Sequence, residues 1–272
     1  MITSTHNQRL KAALRLRGRR ERDRQGLTLI DGVRETARAL AGGASLREAF
    51  VAPPYCVDDE CQALLDRLRD AGVPVAELGE DAFARLAYGD RLDGIVAVAQ
   101  TPVRRLEDLA LPYRPLIAVI EGVEKPGNLG AVLRTADGAG VSAVIVADTS
   151  TDLFNPNVIR ASLGTIFTVP VSVTSSGDVL SWLHERQIGI VAARLDGSID
   201  YTAADYRGSV AIALGSEARG LSDAWSELAV ASVRVPMLGI ADSLNVSVTA
   251  GVLFYEALRQ RRADRRAQPA GG

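Results

Sequence analysis

The fold class is indicated most directly by the stretch LIAVIEGVEKPGNLGAVLRTADGAG (116–140). It joins an apolar run, 116–123, through a short loop to a helical segment. Five further apolar runs of the same character follow it: 142–148, 167–173, 188–194, 209–215 and 232–237. Uninterrupted β-branched runs separated by helices or loops are typical of a parallel sheet that helices cover on both faces. We therefore predict an α/β fold, with functional residues directly after the strands, because ligands of such sheets bind at the carboxyl ends of the strands.

The front part of the chain predicts a second, smaller α/β domain over residues 1–100. Its expected elements are a basic helix Asn7–Arg24, a strand 27–31, a helix Val33–Ala41, a strand 46–52, a helix Asp58–Ala71, and strands 73–78 and 94–100. TPVRRLEDLALPYRP (101–115) contains three prolines and no sustained periodicity, so we expect a linker there. The larger domain then covers 116–262, and the end of the chain, 263–272, is expected to be a disordered tail.

Composition excludes several classes of protein. A chain of 272 residues with 47% hydrophobic and 24% charged residues is typical of a globular protein. No apolar run is long enough to span a bilayer, and the N-terminus lacks the apolar stretch of a secretory signal, so we expect a cytoplasmic protein. Cys56 and Cys61 have no nearby histidine, and we predict that both are reduced. His6 and His184 are the only histidines, which argues against a Ser-His-Asp hydrolase and a metal site.

The net charge of −2 hides an uneven distribution of charge. Residues 1–24 hold eight basic and two acidic side chains, residues 259–272 hold five and one, and the rest of the chain is acidic. Basic ends on an acidic body favour contact with RNA phosphates, although a solubilising helix explains the same pattern. The candidate RNA-binding residues are Arg9, Lys11, Arg15, Arg17, Arg19 and Arg20.

The first chemical motif opens the helix after the run 116–123. Gly127-Asn128-Leu129-Gly130 leaves backbone N–H groups free to hold an anion, but neither a P-loop nor a dinucleotide fingerprint is present. Arg134 follows Gly127 by about two helical turns. It either pairs with a distant carboxylate or lies beside a phosphate or hydroxyl of a nucleic acid.

Two further motifs follow later strands. In LGSEARG (214–220), glycines bracket Glu217, which suits close approach of a ligand and also suits an ordinary turn. In ADSLNVSV (241–248), Ser243 is a good N-cap for a helix that begins near Asn245. The β-branched residues of this string are indifferent helix formers, which indicates selection for packing and for the geometry of the helix start.

The combination and order of these motifs resemble the three-motif signature of the SpoU/TrmH RNA 2′-O-methyltransferases over residues 116–260. The stretch IDGVRE (30–35) and the basic helix resemble the small substrate-binding domain, of ribosomal-protein type, that many members carry. The resemblance implies a Rossmann-like parallel sheet with a C-terminal trefoil knot, a homodimer, and S-adenosylmethionine as cofactor, with no metal. The implied cofactor-binding residues are Ala192, Ala193, Leu214, Gly215, Glu217, Val235, Met237, Leu244 and Asn245.

The same resemblance implies which polar residues act in methyl transfer. They are Arg134, Asn128, Glu217, Ser243 and Asn245. A free guanidinium stays protonated, so Arg134 acts as a base only if its pKa is strongly perturbed, and otherwise stabilises the developing oxyanion. Ribosomal RNA is the favoured substrate, with transfer RNA as the alternative and antibiotic resistance as a further option. A catalytically idle RNA-binding protein and a nucleotide-dependent oxidoreductase are the competing functions, and the second lacks its dinucleotide fingerprint.

Overall fold

The computed structural model of the chain describes residues 1–4, 6–88 and 93–267. Its helices are α1 Gln8–Arg15, α2 Arg19–Gln25, α3 Val33–Ala41, α4 Asp59–Asp70, α5 Glu80–Leu86, α6 Pro126–Ala139, α7 Pro156–Ala161, α8 Ser176–Glu185, α9 Asp223–Leu228 and α10 Val246–Ala267. Its strands are β1 Leu27–Asp31, β2 Leu46–Val51, β3 Val75–Glu77, β4 Ile95–Gln100, β5 Leu116–Glu121, β6 Ala143–Ala147, β7 Val171–Thr174, β8 Gly189–Ala193, β9 Ile199–Asp200, β10 Val210–Leu214 and β11 Ala231–Arg234.

The chain divides into two compact units. The first unit comprises Met1–Pro102 together with Asp152–Thr168, and the second comprises Val103–Thr151 together with Val169–Gly272. The sequence-based division differs in two places. Residues 152–168 were expected in the larger domain, and 103–115 were expected in a linker. In the structure, Leu106 and Leu109 are buried in the core of the second unit, so this segment packs as part of that unit.

The first unit is built on a four-stranded sheet of order β1-β4-β2-β3. Strand β4 pairs antiparallel with β1 and β2, and β2 pairs parallel with β3. Its core contains Leu10, Leu29, Phe50 and Phe83, none of which is accessible to solvent. The predicted small α/β domain is confirmed.

The prediction of a single helix over Asn7–Arg24 is wrong, because the helix is interrupted at Gly18, whose backbone is extended. Asn7 caps the first piece, its Oδ1 accepting from the backbone N–H of Arg9 at 2.9 Å. Arg22 is buried and donates from Nη1 to the carbonyls of Leu16 at 2.7 Å and Arg17 at 2.8 Å. One of the basic side chains therefore satisfies the carbonyl groups that the break leaves free.

The segment Asp152–Thr168 is attached to the first unit by side-chain hydrogen bonds. Arg22 donates from Nε to Asp152 at 3.0 Å, and the Oγ1 of Thr28 donates to the carbonyl of Phe154 at 2.6 Å. Arg38 donates to the carbonyl of Leu163 at 2.7 Å. Since these partners are widely separated in sequence, no local pattern indicated that the segment leaves the larger sheet.

The second unit contains a seven-stranded sheet of order β7-β6-β5-β10-β8-β11-β9. Every neighbouring pair is parallel, which confirms the predicted parallel sheet. Strand β10 lies between β5 and β8, with Leu214 opposite Ile120 and Ala193. Two predicted strands are shorter than expected. Strand β7 begins only after Pro170, which has no N–H to donate, and β11 ends two residues before Pro236.

Three further expectations are decided by the structure. Cys56 and Cys61 form a disulfide with a Cα–Cα distance of 5.4 Å, so the prediction that they are reduced is wrong. Helix α10 continues to Ala267, so 263–267 are not disordered, while 268–272 lie outside the described residues. Within the described part of the chain, no helix has the length and apolar character needed to cross a membrane.

Candidate active site

A cavity of about 530 Å³ opens at the carboxyl ends of β8, β10 and β11. Its walls come from four segments, which are 193–196, 214–221, 233–237 and 243–249. Pockets of this size hold drug-sized ligands or cofactors, with mostly apolar walls and a few polar groups that fix orientation. The position at the strand ends agrees with the expectation for a parallel α/β sheet.

Most of the predicted cofactor-binding residues lie on the wall of this cavity. They are Ala193, Leu214, Gly215, Glu217, Val235, Met237 and Leu244. Ala192 is buried within β8, and Asn245 starts the helix behind the wall without lining the cavity. The same wall also contains three residues that were not predicted from the sequence, which are Arg194, Asp196 and Arg219.

The loop after β10 closes tightly on itself. A Cβ on Gly215 would lie 1.9 Å from the carbonyl carbon of Gly220 and 2.1 Å from the nitrogen of Leu221. The N–H of Gly220 donates to the carbonyl of Ser216 at 2.9 Å, and Gly220 has a φ of +68°. Gly215 is therefore required by the close approach of the backbone, and Gly220 is favoured by its left-handed conformation.

A polar cluster, formed by Lys125, Asn128, Glu217 and Asn245, brings the three sequence motifs together. The Oε1 of Glu217 accepts from Nδ2 of Asn128 at 2.7 Å and from Nδ2 of Asn245 at 2.5 Å. The Oε2 of the same carboxylate accepts from Nζ of Lys125 at 2.6 Å. Since Glu217 also lines the cavity, the cluster connects the helix start at α6 and the helix start at α10 to the cavity wall.

The charges within the polar cluster are fixed at neutral pH. The hydrogen bond from Lys125 lowers the pKa of Glu217, burial opposes this, and the hydrogen bond from Asn128 lowers the pKa further. The same hydrogen bond raises the pKa of Lys125. Glu217 is therefore a carboxylate and Lys125 an ammonium. Lys125 was not among the residues predicted from the sequence, because a single exposed lysine forms no pattern.

Arg134 is exposed on α6 and, within the described part of the chain, makes no side-chain hydrogen bond or salt bridge. The alternative interpretation was that a distant carboxylate pairs with its guanidinium, and no described carboxylate does so. Ser243 lies on the cavity wall but does not cap α10 as predicted. Asn245 takes that role, its Oδ1 accepting from the N–H of Ser247 at 2.9 Å, because α10 begins one residue later than expected.

The candidate RNA-binding residues of the first unit differ in whether another side chain contacts their positive charge. Arg9 pairs with Glu48 and Arg19 with Asp23. Arg17 lies over the ring of Tyr88, 4.8 Å from its centre. The remaining three are exposed and form no salt bridge with any described residue; they are Lys11, Arg15 and Arg20.

In the described ranges, no group of three or more His, Cys, Asp or Glu side chains is placed to hold an ion. The cavity suits a ligand that has a ring system and a polar tail. Its wall combines apolar side chains such as Val235 and Met237 with the exposed backbone of a glycine-bounded loop. These residues fit S-adenosylmethionine, with its adenine against apolar groups and its polar groups against backbone.

Sequence comparison matches two family profiles. The SpoU rRNA Methylase family matches residues 115–255, and the MRM3-like substrate binding domain matches residues 7–97. The fold and the site thus define a two-domain methyltransferase. The chain belongs to the SpoU rRNA methylase family.

Two curated relatives extend the match over most of the chain. A 23S rRNA (uridine(2479)-2′-O)-methyltransferase from Streptomyces viridochromogenes is 31% identical over 263 residues, which cover 93% of this chain and 89% of the relative. A 23S rRNA (guanosine-2′-O-)-methyltransferase, RlmB, from Vibrio cholerae is 35% identical, covering 76% of this chain and 87% of the relative.

Solved structures agree with the sequence matches. An RNA 2′-O ribose methyltransferase has a TM-score of 0.85 and 44% identity, covering 96% of this chain and 99% of the neighbour. AviRb from Streptomyces viridochromogenes, in complex with the cofactor AdoMet, has a TM-score of 0.86 and 29% identity, covering 95% and 99%. The comparisons confirm the predicted family, enzyme class, cofactor and reaction, which is ribose 2′-O-methylation of RNA.

Proposed function

We propose that this chain methylates a ribose 2′-hydroxyl of 23S ribosomal RNA, with S-adenosylmethionine bound in the cavity at the strand ends. The observation that carries the proposal is the polar cluster. In it, Asn128 and Asn245 both bind one carboxylate of the cavity wall, and Asn128 shares α6 with the exposed Arg134. Both curated relatives described above are named as 23S rRNA 2′-O-methyltransferases, which favours ribosomal over transfer RNA.

S-adenosylmethionine supplies an electrophilic methyl group. The ribose 2′-oxygen forms the new carbon–oxygen bond as the carbon–sulfur bond breaks, the electron pair stays on sulfur, and the hydroxyl proton passes to solvent water. The chain must therefore orient the hydroxyl and stabilise negative charge on its oxygen. We assign the second task to Arg134, because its guanidinium has no competing acceptor among the described residues.

The polar cluster has a supporting role in this scheme. Glu217 stays ionised and fixes which atoms of Asn128 and Asn245 face outward, because it accepts an N–H from each amide. Lys125 adds a positive charge at the same place. Ser243, on the cavity wall, would help to position the ribose or the cofactor.

Two further features are proposed on separate grounds. We propose a trefoil knot in the second unit, on the ground of the match to the SpoU rRNA Methylase family. We also propose a homodimer, supported by the fully exposed side chains of Leu238 and Ile240. Such apolar exposure is typical of a surface that a partner covers. Because its substrate is ribosomal RNA, we expect the enzyme to act in the cytoplasm.

The test is to map ribose methylation in total RNA from cells with and without the gene. Loss of one 2′-O-methyl group in 23S ribosomal RNA, restored by the gene but not by an Arg134→Ala variant, is expected. A lost methyl group in transfer RNA instead would overturn the ribosomal assignment. No change in either RNA, despite cofactor binding, would favour the idle RNA-binding protein. Growth of the same strains on ribosome-targeting antibiotics tests the resistance role.

A further inference from the structure

Glu121, the last residue of β5, is a buried carboxylate that methyl transfer does not use. Only 8% of the residue is exposed. Its Oε1 accepts from Oγ of Ser176, Oγ of Ser222 and Nε1 of Trp225, each at 2.8 Å. Its Oε2 accepts from the backbone N–H of Ser222 at 2.7 Å. Four donors thus converge on one side chain.

The carboxylate of Glu121 is ionised despite its burial. Burial raises the pKa of Glu121, but the hydrogen bonds from Ser222, Trp225 and Ser176 together lower it below its ordinary value. Hydrogen bonds to an ionised acceptor are about twice as strong as those between neutral groups. A charged acceptor in this position therefore holds its donors, and the segments that carry them, more firmly than a neutral side chain would.

Three of the four donors of Glu121 belong to Ser222 and Trp225, which follow the loop that forms the cavity wall. This loop, residues 215–221, carries Glu217, and Ser222 follows it directly. Its other end is held by the sheet, where Leu214 of β10 lies opposite Ile120 of β5. Both ends of the loop are thus attached to consecutive residues of a single central strand, one through the strand pairing and the other through a side chain.

We propose that Glu121 is a positioning residue, which closes the 215–221 loop at its far end and so preforms the cofactor wall and the place of Glu217. It does not touch cofactor or substrate. The loop is a closed turn in which Arg219 and Gly220 donate backbone N–H groups to Ser216. Because such a turn moves as one body, releasing Ser222 would shift Glu217 relative to Asn128.

The competing explanation is that Glu121 only stabilises the fold in general. The four donors allow this explanation to be distinguished from positioning of the loop. Ser176 belongs to α8 and not to the loop, yet it donates to the same oxygen as Ser222 Oγ at the same distance. Ser176→Ala and Ser222→Ala therefore each remove one hydrogen bond of the same length to Oε1, from a buried and an exposed serine respectively. Only Ser222→Ala acts on the loop, whose end then keeps the backbone N–H of Ser222 as its one remaining bond from that residue to Glu121.

The experiment compares these two variants of the full-length protein with Glu121→Gln. S-adenosylmethionine affinity is measured by calorimetry, and hydrogen exchange of the 215–222 amides is measured without cofactor. Ser222→Ala is expected to bind the cofactor roughly tenfold more weakly and to exchange faster over 215–222, whereas Ser176→Ala binds as the wild type does. Glu121→Gln, which turns an N–H₂ toward a donor, is expected to lose more affinity than Ser222→Ala.

Equal effects of Ser176→Ala and Ser222→Ala on both measurements would overturn the inference, as would wild-type exchange in Glu121→Gln. The inference rests on the proposed cofactor site, but the exchange measurement does not need the cofactor. Faster exchange without any cofactor binding by the wild-type protein would contradict the site and leave the anchoring role intact.

Discussion

Asn245 donates its side-chain N–H to Oδ1 of Asn128 at 3.2 Å, although 117 residues separate the two in the chain. Both amides also donate to Oε1 of Glu217. The starts of α6 and α10 are therefore connected through side chains at the rim of the cofactor cavity. This connection explains why three motifs, each weak alone, occur together in one sequence.

Arg134→Ala is expected to lower kcat by at least about a hundredfold, because it removes the positive charge that faces the developing oxyanion. Affinity for S-adenosylmethionine should change little, since Arg134 does not line the cavity. Single-turnover methylation of the RNA and cofactor calorimetry measure the two effects. Arg134→Lys is the matched variant, and it should recover part of the rate if charge alone is needed. Near-normal methylation by Arg134→Ala would show that Arg134 is not needed for methyl transfer.

Glu217→Gln is expected to lower kcat by about tenfold or more, because a neutral amide cannot accept from Lys125, Asn128 and Asn245 together. The control is Glu124→Gln, which neutralises an exposed carboxylate in the loop before α6. Both variants are compared in the same methylation assay. Similar rates for the two variants would show that the polar cluster is not needed for turnover.

The sequence predicted the parts of the site that depend on local patterns. Apolar runs located the strands, and glycines at their ends located the 215–220 loop. The contacts of Asn128, Glu217 and Asn245 came from a resemblance to a family, since no spacing rule brings residues so far apart together. Lys125 was missed because a single exposed lysine has no periodicity, and Glu121 was missed because its four donors come from distant segments.

The first unit shows where local reasoning fails. A run of helix-forming residues predicted one helix, but Gly18 and the buried guanidinium of Arg22 produce two. The attachment of Asp152–Thr168 depends on Thr28 and Arg38, which lie more than a hundred residues earlier. Such long-range hydrogen bonds determine which unit a segment belongs to, and the composition of the chain does not predict them.

Gly215→Ala is expected to abolish cofactor binding, because the new Cβ would lie 1.9 Å from backbone atoms of Gly220 that cannot move away. Gly208→Ala is the control, since a Cβ there has no neighbour within 4 Å. Calorimetry with S-adenosylmethionine and thermal denaturation are measured for both. Wild-type affinity in Gly215→Ala would show that the loop crossing can open without consequence for the cavity.

The triple change Lys11→Ala, Arg15→Ala and Arg20→Ala is expected to weaken RNA binding and to reduce its dependence on salt. Each lost phosphate contact lowers the slope of log affinity against log salt by about 0.7 for single strands. Arg9→Ala with Arg19→Ala is the control, because these cations already pair with Glu48 and Asp23. Filter binding at several salt concentrations measures the slopes. Equal slopes for the two variants would mean that pairing within the unit does not decide which cations contact RNA.

Asp31→Asn is expected to stabilise the protein at neutral pH. Burial raises the pKa of Asp31 to about 6. Its Oδ1 has no hydrogen-bond partner among the described residues, while Oδ2 accepts from the N–H of Tyr88 at 2.6 Å. Among the charges around it, Arg160 lowers this pKa, and Asp93 and Glu35 raise it.

The direction of the pH effect follows from these values. The native state binds more protons than the unfolded chain between the unperturbed pKa of 3.8 and about 6. The contribution of Asp31 to the free energy of unfolding therefore falls as pH rises through this window. Above the window the free energy of unfolding is lower by at most about 2 to 3 kcal/mol. Asp31→Asn should be more stable than wild type at pH 7.5 and should lose that advantage at pH 4.5. Chemical denaturation at both pH values measures the difference, with the exposed Asp70→Asn as control. If Asp31→Asn is no more stable than wild type at pH 7.5, or more stable by the same amount at both pH values, then the ionised carboxylate is stabilised in the folded protein.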